Sequence, residues 1–146
     1  MRPLLVMDGD SFAHRAYHGV PKTIRRRDGG PGNMLIGVSN YLLRLWNEER
    51  PRTVLVAWDT LTVPTYRHEE LPVYQSGREF DPELLEQLDM LPALVAATGF
   101  AVAKEPGYEA DDFLGAAVTT EEAAGGAVLV ATSDRDAFQL ASSQTT

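Results

Sequence analysis

Three short apolar runs mark the chain, at Leu4 to Met7, Val54 to Trp58 and Ala127 to Ala131. Each is continuous rather than alternating, the pattern of a strand covered on both faces of its sheet. Phe100 to Ala103 offers a fourth. Between these runs the apolar residues recur at helical spacing. Met34, Val38, Leu42, Leu45 and Trp46 predict a helix that starts near Gly32-Asn33. Asp81-Pro82-Glu83 reads as an N-cap, a first-turn proline and an acidic first turn. The helix it opens carries Leu84, Leu88, Leu91 and Val95 as its stripe and runs to about Ala97, with Gly99 just beyond. Pro92 inside that pattern predicts a kink or a break. Another helix is expected from Asp111 towards Glu122, stopped at Gly125-Gly126. Strands alternating with helices predict an α/β fold with a mainly parallel central sheet.

The chemistry is concentrated where the strands stop. The first run ends in Asp8-Gly9-Asp10, the second in Asp59, and the third in Thr132-Ser133-Asp134-Arg135-Asp136. Open parallel sheets bind ligands beyond the carboxyl ends of their strands. Asp8, Asp59, Asp134 and Asp136 are therefore expected along one rim. The stretch GYEADD adds Glu109, Asp111 and Asp112 at a helix start. Taken alone, those three acids are an ordinary favourable helix N-terminus. Taken with the rim, they join a set of carboxylates that would raise one another's pKa unless a cation sat among them. Hard oxygen donors without Cys or His favour Mg²⁺ or Mn²⁺ over zinc.

Composition narrows the field further. The 146 residues contain no cysteine and three scattered histidines, which excludes disulfides and thiolate zinc sites. No apolar run reaches the roughly 18 to 20 residues of a membrane span. The early acids also argue against a signal peptide, so a cytoplasmic protein is expected. The net charge of −8 argues against a nucleic-acid partner only if the charges are evenly spread. They are not: Lys22, Arg25, Arg26 and Arg27 form a basic run, read as a flexible loop near the rim that suits duplex phosphates.

Two phosphate chemistries compete for Asp8-Gly9-Asp10. A strand followed by Asp-x-Asp resembles the start of haloacid-dehalogenase-type phosphatases, with Asp8 as nucleophile and Asp10 as acid/base. Phe12 departs from that pattern. Lys104, the one lysine in the second half, lies on no obvious strand end, and Asp59 and the EADD cluster would have no task. The other reading uses every acid. VMDGDSFAHRAYHG, VAWDTLTVPTYRHEELPVYQSGR, PGYEADDFLG and VATSDRDAFQL resemble, in order, the motifs of the bacterial 5′-3′ exonuclease/flap endonuclease family. That family includes the N-terminal nuclease domain of DNA polymerase I and free-standing relatives.

The resemblance implies a resolvase-like, PIN-related three-layer core with a helical arch and two or more divalent ions. It makes Asp8, Asp59, Glu109, Asp111, Asp112, Asp134 and Asp136 the metal-site acids. Asp10 is a further candidate, placed where relatives carry a small polar residue. Arg67, Tyr74 and Arg78 match arch positions near the scissile phosphate, while Gln75 stands where relatives have a lysine. Arg15 joins the basic run as a phosphate contact. The implied substrate is DNA with a 5′ single-stranded end or flap beside duplex, cut in replication or repair to a 5′-phosphate and a 3′-hydroxyl. Relatives continue past this point with another acidic pair and a helix-hairpin DNA-binding module. Residues 1 to 146 are thus expected to be a catalytic domain lacking that module. A non-catalytic nucleic-acid-binding module is the remaining alternative.

Overall fold

The computed structural model describes residues 1–60 and 81–146. Four strands, β1 (Leu4–Asp8), β2 (Thr53–Ala57), β3 (Ala101–Ala103) and β4 (Val128–Ala131), form one sheet in the order β3-β2-β1-β4. Every pairing is parallel, and the register sets Asp8 opposite Ala57 and Met7 opposite Ala131. The four runs expected from sequence are these strands, with the fourth reduced to a three-residue edge.

Helices cover both faces, which is why the strands read as unbroken apolar runs. On one face lie α1 (Gly9–Gly19), α2 (Asn33–Glu49) and α3 (Pro82–Ala97). Their core joins Leu5, Met7, Val54, Val56 and Trp58 of the sheet to Tyr17, Met34, Val38, Leu42, Leu88 and Leu91. On the other face α4 (Ala110–Ala123) sets Leu114 and Val118 against Val6, Ala57 and Val128. Strand alternation sends successive side chains to the two cores. Two close approaches need glycine. A Cβ on Gly9 would lie 2.7 Å from the Trp58 ring, and one on Gly37 would lie 2.6 Å from Ala16 where α1 meets α2.

The expected break at Pro92 does not occur. The helix runs unbroken from Pro82 to Ala97 with Pro92 inside it. A proline there removes one amide donor and crowds the preceding turn. The buried stripe of Leu84, Leu88, Leu91 and Val95 spans the site on both sides and holds the helix to the sheet. Trp46, read as part of the α2 stripe, is partly exposed instead and meets Phe100 at 5.4 Å between ring centroids.

A buried amide pair fastens α2 to α3. The α2 N-cap is Gly32, which has no side chain to satisfy the first amides. Gln87, fully buried on α3, supplies the acceptor: its Oε1 takes the Met34 N–H at 2.8 Å and the Leu35 N–H at 3.3 Å. Its Nε2 donates to Asn33 Oδ1 at 3.0 Å, and Asn33 Nδ2 donates to the Tyr17 and Val20 carbonyls. One glutamine thus does the work of a helix cap from another element. Gln87→Leu strands the Met34 amide and the Asn33 carbonyl in the core and is expected to cost about 2–3 kcal/mol. Urea unfolding should show a lower midpoint at unchanged slope.

Candidate active site

The carboxyl ends of the strands bring the predicted acids of β1, β2 and β4 to one rim. Asp8 ends the central strand and also caps α1, its Oδ1 accepting the Ser11 N–H at 3.1 Å. Its Oδ2 accepts from Thr132 Oγ1 at 3.0 Å, so the last residue of β1 is tied to the exit of β4. Two residues on, Asp10 Oδ2 accepts the Asp59 N–H at 2.5 Å, which ties the same turn to the exit of β2. Asp59 Oδ1 in turn accepts the Ala110 N–H at 2.7 Å at the start of α4. A contact between the Ser11 and Ser133 hydroxyls, with the Ser133 N–H donating to Ser11 Oγ at 3.0 Å, closes the β4 side.

The electrostatics follow from this crowding. Asp8 and Asp10 are 6% and 7% exposed. Burial raises the Asp8 pKa above the usual aspartate range, and the nearby Asp134 charge adds to it. Asp10 is raised well above that range, by burial first and then by Asp59, with Asp8 contributing and Lys104 opposing. Asp8 thus feels the charge of Asp134, and Asp10 feels those of Asp59 and Asp8. Their donor type and excess negative charge fit a hard divalent cation. The ligand shell is not closed: among the described residues no three Asp, Glu or His stand together as an ion-holding group.

The other predicted residues divide by location. Glu109, Asp111 and Asp112 open α4 beside Asp59, but Glu109 and Asp112 also form a reciprocal capping box, with the Glu109 N–H donating to Asp112 Oδ2 at 2.8 Å. The helix-start reading of EADD is thus realised alongside the rim. Asp134 caps the 3₁₀ turn Arg135–Leu140 by accepting the Asp136 N–H at 2.9 Å, and both acids are exposed. Arg67, Tyr74, Gln75 and Arg78 lie outside the described residues.

The basic run is not a loose loop. Arg26 bonds Asp28 at 3.2 Å and Glu86 at 2.7 Å, Arg25 bonds Glu83 at 2.8 Å, and Lys22 lies 4.0 Å from Asp81. Arg26 also donates to the Pro31 carbonyl at 2.9 Å, and the Arg26 N–H donates to the Gly30 carbonyl at 2.8 Å. The acidic first turns of α3 take up these cations because the two segments meet there. Arg15 and Arg27 are exposed and enter no ion pair among the described residues. Tyr17 is 2% exposed, its ring roofed by the Lys22 ammonium at 4.6 Å, so it is core. Lys104 corrects another expectation: it follows β3 directly, at a strand end, and its charge reaches Asp10. Thr132, Ser11 and the backbone role of Asp10 were not foreseen. Thr132 had a visible signal in its place between β4 and Asp134.

An open parallel sheet with acids at its strand ends is the resolvase-like arrangement. A family model described as the N-terminal resolvase-like domain of 5′-3′ exonucleases matches residues 3–146, and the chain belongs to that family. Membership removes the phosphatase reading. DNA polymerase I of Mycobacterium tuberculosis is 36% identical over 145 residues, covering 98% of this chain and 16% of that protein. A 5′-3′ exonuclease from the same organism is 34% identical over 151 residues, covering 94% of this chain and 47% of the relative. The chain thus spans less than half the length of these relatives. Among solved structures, a zinc-bound T5 5′-exonuclease matches with a TM-score of 0.74 at 22% identity, over 99% of this chain and 54% of that one. A bacteriophage T5 flap endonuclease complexed with DNA and metal ions gives 0.74 at 21%, over 99% and 53%. These structures share the fold.

The raised carboxyls predict a pH signature in metal-free protein. A raised native pKa means the unfolded chain gives up its protons first as pH rises. The contribution of these two carboxyls to stability is then fully present below the unfolded aspartate pKa of about 4 and is lost as pH rises towards the native values. Asp10→Asn should remove part of that loss. Thermal melts in chelator are expected to show the variant more stable than wild type at pH 7, with the difference closing near pH 3.5.

Proposed function

We propose that this chain is the catalytic domain of a divalent-metal-dependent DNA 5′ nuclease. It would act as a 5′-3′ exonuclease or 5′-flap endonuclease in replication or repair. The observation that carries the reading is the set of acids at the ends of three adjacent parallel strands, with Asp8 buried among them, within a chain of this family. Asp8, Asp59, Glu109, Asp111, Asp112, Asp134 and Asp136 would hold two or more Mg²⁺ or Mn²⁺ ions. Bound divalent ions supply Lewis acidity at the phosphodiester and lower the pKa of water. The protein's own task is to place charge. Thr132 and Ser11 fix both oxygens of Asp8, and the Ala110 amide fixes one oxygen of Asp59.

The substrate would be DNA with a 5′ single-stranded end or flap beside duplex, leaving a 5′-phosphate and a 3′-hydroxyl. Arg67, Tyr74 and Arg78 would meet the scissile phosphate, with Gln75 offering a neutral donor beside them. Arg15 and Arg27 would take duplex phosphates directly. Lys22, Arg25 and Arg26 reach DNA only by sharing their α3 carboxylates. Among the described residues no helix is long and apolar enough to cross a membrane, and the reading places the nuclease in the cytoplasm with DNA. Gln75, a neutral residue where relatives carry a lysine, favours a second reading, a nucleic-acid-binding module without cleavage.

A 5′-labelled flap duplex separates the two. With Mn²⁺ the chain should release short 5′ fragments, and with chelator it should release none. Asp8→Asn keeps an acceptor for Ser11 and removes the charge, and should slow cleavage by at least about a hundredfold with unchanged circular dichroism. Wild-type rates in that variant, or flap binding without cleavage, would discard the nuclease reading.

A further inference from the structure

The turn after β1 sends its two aspartates in opposite directions. β1 lies between β4 and β2. Asp8 reaches the β4 side through Thr132, and Asp10 reaches the β2 side through the Asp59 amide. That amide is the first one beyond the sheet ladder. The Trp58 N–H donates to the Ala103 carbonyl of β3 at 2.9 Å, and because amides alternate sides along a strand the Asp59 N–H faces β1 instead. On that side β1 has already given way to α1 at Gly9, so no β1 carbonyl continues the ladder opposite the Asp59 N–H, and a part-buried amide left without an acceptor is costly. Asp10 accepts it from within the fold. Asp59 then passes the connection on through its Oδ1 to Ala110, so β1, β2 and α4 are joined by two consecutive hydrogen bonds.

We infer that Asp10 is a positioning residue, whose carboxylate clamps the backbone at Asp59 and so aims the Asp59 carboxylate, without touching ion or DNA. The inference rests on the reading in which Asp59 helps to hold divalent metal. Three roles for Asp10 are chemically distinct. A clamp needs one oxygen acceptor, so Asp10→Asn preserves it and Asp10→Ala destroys it. A ligand needs the negative charge, so both variants fail alike. A solvated acid needs neither, so both variants behave as wild type.

Direct Mn²⁺ titration, followed by the electron paramagnetic resonance of free Mn²⁺, reads the first difference. Amide exchange at Asp59 in metal-free protein reads the second. Asp10→Ala is expected to weaken Mn²⁺ binding about tenfold, the size typical of residues that orient metal ligands. It should also speed Asp59 exchange at least tenfold. Asp10→Asn should stay within about threefold of wild type on both counts, as the acceptor is retained. Equal weakening in the two variants overturns the clamp, and so does unchanged exchange in Asp10→Ala. Were the alanine variant to unfold, the asparagine variant still discriminates, since a lost ligand weakens binding and a kept clamp does not. Flap cleavage by the wild type is measured alongside. A chain that shows the clamp in its amide exchange yet cuts nothing refutes the nuclease reading and leaves the role of Asp10 standing.

Discussion

The structure depends on β1 having a neighbour on each side and ending in a turn without room for bulk. A central parallel strand delivers its carboxyl end into a space reachable from both adjacent strands, and here that space is bridged at once. Asp8 bonds towards β4, Asp10 towards β2, and Gly9 between them lets the Trp58 ring close over the turn. Any side chain at residue 9 would push Trp58 away and with it the end of β2. The same three residues therefore start a helix, lock three strand exits together and bury two carboxyl groups. Packing and electrostatics are not separable here, because the hydrogen bonds that hold the rim are made by the groups whose charge the rim concentrates.

That arrangement has a cost that the rest of the fold offsets. Two buried aspartates close to two further acids lower the stability of the metal-free domain at neutral pH, as their raised pKa values record. The two apolar cores on either side of the sheet, and the Gln87–Asn33 pair between α2 and α3, supply rigidity that does not depend on the rim. A divalent ion would relieve the repulsion and so couple metal binding to stability, which is the general behaviour of sites built from crowded carboxylates. Catalytic sites are commonly the places where a fold carries such local strain.

Much of this was legible in the residues, and the reasons for the rest are physical. Continuous apolar runs revealed buried parallel strands because both faces are covered, and the acids at their ends revealed the rim because strand ends are where side chains escape the core. Hydrogen bonds to the backbone leave no such trace. Asp10 looks like a second metal acid in sequence, yet its carboxylate meets the Asp59 amide, a pairing set by where β1 stops and α1 begins. Lys104 follows directly on the expected fourth run, Phe100 to Ala103, so its place at a strand end was already implied by the pattern that predicts β3. Pro92 predicted a break from local rules, but the stripe on either side of it was anchored by tertiary contacts that propensity does not see. The basic run read as a free loop because its partners Glu83 and Glu86 lie some sixty residues away.

Those distant partners bear on how an acidic domain could meet DNA. Ion pairs exposed to water hold weakly and exchange readily with other anions. Lys22, Arg25 and Arg26 are all paired with carboxylates in the first turns of α3. A phosphate arriving there competes with a carboxylate for each cation rather than meeting a bare positive surface. The sequence-independent attraction is therefore weaker than the count of cations suggests. In the proposed reading the deficit is met at the rim itself, where divalent ions would turn the most negative part of the surface into the part that binds phosphate. A net charge of −8 and a DNA substrate are then compatible, because the acids that produce the charge are the ones that would recruit the cations.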